Sequence, residues 1–185
     1  MNHRLHLSFE QLDRATSRLL ASVEALGAEA ERPPSPGQWS AAQVVHHLLV
    51  VEGNIVAYIE KKLAADEALP KMDLLTRLKS RFVRLMLRLP GLKYKAPRGV
   101  GTLTDAGNLP PLPELRATWE STRRQLERLL NAFPGKLLNR AVFPQPRAGR
   151  ITIYQVMGLL LDHVLHHQQQ VGRITKALRP GPLAA

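Results

Sequence analysis

The stretch at residues 151–178, ITIYQVMGLLLDHVLHHQQQVGRITKAL, is the longest apolar-periodic run in the chain, and its reading decides the fold. Val156, Leu159, Leu160, His163, His167, Gln170 and Ile174 recur at three- and four-residue steps, the spacing of one face of an α-helix. His163 and His167 therefore share the side that packs inward. Helical residues four apart have Cβ atoms about 5–6 Å apart, close enough for two imidazoles to converge on one cation and form two-thirds of a metal site.

The start of this helix is legible as well. Thr152 can cap the amide of Gln155 while Gln155 reaches back to the cap residue, and Ile151 can pack on Val156 as a staple. The same grammar occurs at Trp39-Ser40-Ala41-Ala42-Gln43-Val44, with Ser40 as cap, Gln43 as its reciprocal partner and Trp39 against Val44. It opens a second helix, which brings in His46 and His47 on a stripe with Val44, Leu48, Val51, Ile55 and Tyr58. Adjacent helical residues point about 100° apart, so only one of the two histidines can face a given point.

The stretch WSAAQVVHHLLVVEGN, followed about 110 residues later by ITIYQVMGLLLDHVLHHQQQVGRI, resembles the DinB/YfiT-like superfamily of metal-dependent enzymes. In that family a Trp-Ser helix start precedes a His-Leu pair, and a later helix carries H-x-x-x-H before a Gln-rich turn. The resemblance covers most of the chain and implies a metal held by His47, His163 and His167. It also implies an up-down-down-up four-helix bundle that dimerises through exposed apolar helix faces. Gln43 stands where the family often has Glu, and the capping role survives the change.

Composition narrows the classes. A chain of 185 residues that is 44% hydrophobic is expected to form one globular domain over residues 1–185, with enough core to be stable. With no cysteine there is neither a disulfide framework nor a thiolate metal site, so a metal would be held by His and carboxylate, in keeping with a reducing cytoplasm. No apolar run has the length of a signal peptide or of a membrane span. The net charge of +11 raises the question of anionic partners.

In chain order, residues 7–26 read as a first helix with Leu12, Ala15, Leu19, Val23 and Leu26 inward and Ser8 and Gln11 as its capping box. Gly27 ends it, and the proline-rich loop at 31–38 leads to Trp39. The second helix runs from Ala41 to about Ala65. A third, shorter segment at 71–89 sets Leu74, Leu78, Phe82, Leu85 and Leu89 on one side. From Lys71 to Arg98 there are nine basic residues (Lys71, Arg77, Lys79, Arg81, Arg84, Arg88, Lys93, Lys95, Arg98) against the single acid Asp73. A Gly/Pro/Asn-rich connection at 99–113 has the length of a functional rim loop. Leu115, Trp119, Leu126, Leu129, Leu130 and Phe133 mark the next helix, opened by Pro113. Residues 139–149 form a turn or hairpin-like excursion, and the residues after Leu178 a frayed tail. Four long amphipathic helices, a shorter insertion with a long loop between the second and third of them, and no convincing strand make an all-α four-helix bundle.

A lone histidine on an apolar face is usually a hydrogen-bonded core residue. Here two share one face and a third comes from another helix, and burying three imidazoles together without a cation would leave polar atoms unsatisfied. His47 lies on the apolar stripe; His46 and His166 then flank the site. Three neutral imidazoles suit Zn2+ or Ni2+ and leave a coordination position open for lowering the pKa of a water, polarising a carbonyl or holding a thiolate. Val164 stands where H-E-x-x-H has its glutamate, Glu52 points away from His47, and Asp162 is expected at the helix surface, so no general base is evident. Asn54 and Gln170 are expected on inward faces.

The function expected from these residues is a metal-dependent enzyme acting on a small molecule, by thiol transfer, with a low-molecular-weight thiol as co-substrate, or by hydrolysis. The competing expectation is a basic helical module that binds nucleic acid or an anionic surface. Against it, the nine aromatic residues are not interleaved with basic ones, and there is no helix-turn-helix signal. The amphipathic segment at 74–89 has the pattern of a helix that docks on a membrane surface or a partner subunit. The partners expected are a small-molecule substrate and a second copy of the chain, rather than nucleic acid or membrane.

Overall fold

The computed structural model describes residues 1–65, 68–89 and 109–178. Lys93, Lys95, Arg98, most of the 99–113 connection and the residues after Leu178 lie outside them.

Besides two short 3-10 turns, the described chain has five α-helices and one hairpin: α1 (His3–Glu24), α2 (Ala41–Ala64), α3 (Leu74–Arg88), α4 (Leu112–Ala132), β1 (Ala141–Gln145), β2 (Gly149–Thr152) and α5 (Ile153–Leu178). The helix α1 starts four residues earlier than the expected Leu7. Its cap is Asn2, whose Oδ1 accepts the Arg4 amide at 3.0 Å, while the Ser8 hydroxyl donates to the Arg4 carbonyl inside the helix. At α2 the capping box forms as expected: the Gln43 amide donates to Ser40 Oγ at 3.2 Å and the Ser40 amide to Gln43 Oε1 at 2.8 Å. At α5 only the backward half of the box is seen. The Thr152 amide and hydroxyl both donate to Gln155 Oε1, at 3.0 and 3.2 Å.

The pairs that join the helices also give their directions. Glu24 meets Arg116 and Thr16 meets Arg123, so α1 and α4 run in opposite senses. Glu52 bonds Trp119 and Arg123 while Glu60 bonds Gln125, so α2 and α4 run the same way. Asn2 meets Tyr154, which puts the beginnings of α1 and α5 together. The bundle of α1, α2, α4 and α5 is therefore up-down-down-up. The helix α1 lies mainly along α5, and α2 along α4, so helices consecutive in sequence are not the main packing partners. By length and composition α2 could cross a bilayer, but 61% of its apolar window is buried, as in a core helix.

The expectation of no strand is corrected by the hairpin, in which Phe143 pairs with Ile151 and Gln145 with Gly149. Gly149 adopts a φ of 95°, which favours glycine, and a Cβ there would lie 3.1 Å from Thr76 Oγ1. The hairpin sits against α3, which runs along α5.

The third helix is built the other way out from an ordinary amphipathic helix. Its buried residues are Thr76, Ser80, Val83 and Leu87, while Leu74, Leu75, Leu78, Phe82 and Leu85, with Leu89 at its end, face outward. The reason lies on α5. Asp162, expected at the surface, is fully buried, and Arg84 Nε and Arg88 Nε donate to its two oxygens at 2.5 and 2.7 Å. A buried carboxylate needs such partners. They fix the rotation of α3 and leave its leucine stripe outside.

Candidate metal centre

The second turn of α2 and the middle of α5 meet near Trp39. His47 is buried on α2, His167 is buried on α5 and His163 is partly buried one turn before it. Their Nε2 atoms point at one another: His163 Nε2 lies 3.4 Å from His47 Nε2 and 3.1 Å from His167 Nε2. One ligand atom from each of the three residues falls within 4.8 Å of the others. The three histidines that the sequence nominated are thus brought together from elements more than 100 residues apart.

The spacing permits a test of fit. Four ligands at about 2.0–2.1 Å around Zn2+ in a tetrahedron stand about 3.3 Å from each other, and six around a similar ion about 2.9 Å. The two measured separations are close to these edges. Lone pairs held this near repel unless a proton or a cation lies between them. The donor set, three imidazoles without thiolate or carboxylate, suits a borderline divalent ion and leaves at least one position for an exogenous ligand.

Protonation points the same way. Burial, with His46 close by, lowers the His47 pKa from 6.5 to about 4. Burial and then His47 bring His167 to about 3, against the pull of its bond to Gln170. His163 is also held well below its usual value, chiefly by burial and then by His167 and His47. At neutral pH all three rings are neutral and able to ligate. Gln170 fixes one tautomer: its Oε1 accepts from His167 Nδ1 at 2.8 Å, which leaves the lone pair on Nε2. His47 Nδ1 is buried with no partner among the described residues.

The surroundings sort the remaining candidates. His166 Nδ1 donates to the Leu87 carbonyl at 3.1 Å and its ring edge meets His167, so it ties α3 to α5 and stands outside the triad. His46 also lies outside it, and its buried Nδ1 has no partner among the described residues. Asn54, expected inward, is exposed, because its position on α2 turns it past the apolar stripe. Glu52 is buried away from the imidazoles, accepting from Trp119 Nε1 and Arg123 Nη2, each at 3.0 Å. Burial raises its pKa despite Arg123 and Trp119. Asp162 is engaged by its two arginines. Neither of these buried carboxylates bonds to one of the three imidazoles, and Glu52 Oε1 is buried without a partner among the described residues.

Sequence reasoning gave Trp39 only a packing role. In the structure its ring stacks on His167 at 13° and 6.5 Å and lies 5.0 Å from His47, which makes it a wall of the site. Trp39 precedes its helix, so no periodicity could have placed it.

A family model described as the DinB superfamily matches residues 11–171. The chain belongs to the DinB superfamily. A DinB-like fold is also seen in a solved structure described as "YfiT from Bacillus subtilis is a probable metal-dependent hydrolase with an unusual four-helix bundle topology". The likeness has a TM-score of 0.66 at 17% identity and covers 95% of this chain and 88% of that one. At that identity it speaks for the fold alone. No curated protein matches the chain in sequence.

Proposed function

We propose that this DinB-superfamily chain is a metal-dependent enzyme that binds one divalent ion, Zn2+ or Ni2+, through the Nε2 atoms of His47, His163 and His167 and acts on a small molecule. The observation that carries the reading is the convergence of those three nitrogens from two helices, at separations of 3.1 and 3.4 Å that match the edge of a coordination polyhedron. When bound, such an ion supplies Lewis acidity at a position the protein leaves open.

The chain's own residues have narrower tasks. Gln170 holds the His167 ring in its tautomer, and Trp39 closes one side of the site against water. Among the described residues, the buried carboxylates Glu52 and Asp162 bond to arginines and neither bonds to an imidazole of the triad. This favours a reaction whose nucleophile arrives with the substrate, such as transfer from a low-molecular-weight thiol. Hydrolysis is the second reading, supported by what is said of the Bacillus subtilis relative. A reducing cytoplasmic setting is in keeping with both and with the lack of cysteine.

Metal analysis of protein stripped by chelator and reloaded tests the proposal. About one ion per chain is expected, lost in His163→Ala and in His47→Ala. Wild-type protein that retains no divalent metal under these conditions overturns it. Assaying loaded protein on a thiol with an electrophile, and separately on simple esters, then distinguishes transfer from hydrolysis.

A further inference from the structure

Of the eight large apolar side chains exposed among the described residues, six (Leu74, Leu75, Leu78, Phe82, Leu85 and Leu89) lie on α3 and its C-cap, each 39–74% exposed. At 100° per residue they fall within an arc of about 100°, on the side opposite Val83 and Leu87. Single exposed leucines need no explanation, but a continuous stripe of six on one helix does.

Charge identifies what the stripe meets. Arg77 and Arg81 flank it on one side and Lys79 on the other. All three are exposed and form no ion pair among the described residues, and α3 itself contains no acid. An apolar stripe bordered by long cationic side chains is the pattern of a helix lying in the plane of an anionic bilayer, its leucines in the acyl boundary and its cations at the headgroups. A second copy of the chain, the partner expected from the sequence, fits less well. Two such helices face to face would bring their cations together.

We infer that the outward face of α3 docks on an anionic lipid surface, with Leu78, Phe82 and Leu85 inserted and Arg77, Lys79 and Arg81 at the phosphates. The surface is independent of the histidine cluster, and the opposite side of α3 holds it to the bundle through Val83, Leu87 and the arginine bonds to Asp162.

The test is flotation of the full chain with phosphatidylcholine vesicles, with and without about a third of phosphatidylserine. Binding is expected on the anionic vesicles, weak on the neutral ones and reduced by salt. Leu78→Glu with Phe82→Glu, both at exposed positions, should abolish it with the helical circular dichroism unchanged. Arg77→Gln with Arg81→Gln should weaken it about 25-fold, at about fivefold per cation. His163→Ala should bind vesicles as wild type does, which separates this inference from the metal proposal. Wild-type chain that does not float with anionic vesicles at low salt overturns the inference, as does a Leu78→Glu/Phe82→Glu variant that floats equally well. Self-association in the ultracentrifuge that this variant abolishes, without vesicle binding, would assign the face to a second copy and also overturn it.

Discussion

Acidifying the metal-free protein should unfold it through the histidine cluster, by an amount the structure allows us to work out. His47 titrates near 4 and His167 near 3 in the fold, against 6.5 for a free imidazole, and His163 is displaced in the same direction. Between these values the unfolded chain binds protons that the folded chain does not. Stability is therefore fully present above pH 6.5 and falls as the pH drops below it, until the folded rings titrate. The slope is about 1.4 kcal/mol per pH unit for each ring. From pH 7 to pH 5 each ring removes about 2 kcal/mol, so His47 and His167 together remove about 4 kcal/mol and His163 adds to that. Against a total of about 5–15 kcal/mol for a domain, the metal-free protein becomes marginal at pH 5. Urea unfolding of chelated protein followed by circular dichroism reads this as a fall in midpoint at constant slope. A variant with His47→Gln, His163→Gln and His167→Gln keeps the contributions of all other groups and should lose most of the fall. Equal wild-type midpoints at pH 7 and pH 5, or an equally steep fall in the triple variant, would refute the argument that these rings are held neutral by burial.

Four further outcomes follow from the same geometry. Trp39 lies on two of the rings, so loading with Ni2+ should quench its fluorescence while Trp119, bonded to Glu52 on the far side of α2, stays bright; Trp39→Phe should remove the signal and leave the metal content unchanged. Gln170→Leu removes the acceptor that fixes His167 and should lower metal affinity about 10- to 100-fold in a competition titration with a chromogenic chelator. Asp162→Asn weakens two charge-assisted bonds to arginines whose side chains are 31% and 54% exposed, so the loss in urea unfolding should be about 2 kcal/mol rather than the larger cost of stranding buried charges. Gly158→Ala should act in the same direction, because the Arg84 guanidinium lies where the new methyl group would go.

Much of the site was legible because helix periodicity is a local property. The i, i+4 step from His163 to His167 and the stripe through Val44, His47 and Leu48 told which faces turn inward, and the capping box at Ser40 and Gln43 set where α2 begins. The periodicity of α3 showed that one side is apolar and left open whether that side meets the core, a membrane surface or a partner. A buried Asp162 with two arginines outweighed the leucines in setting the rotation of that helix. Asn54 was misplaced because it sits at the edge of a face, and the place of Trp39 at the histidines was missed because it precedes the helix whose face it joins.

The sequence by itself determined the helices, the start of α2, the absence of thiolate ligands and the three imidazoles that share inward faces, since each depends on spacing or on residue type alone. The tertiary structure decided that α2 and α5 run in opposite senses and cross where His47 meets His163 and His167. It also decided that both nearby carboxylates are taken up by arginines and that α3 turns its leucines outward. These are relations between segments distant in the chain, fixed by which buried charges find partners and which helices pack, and no local pattern encodes them.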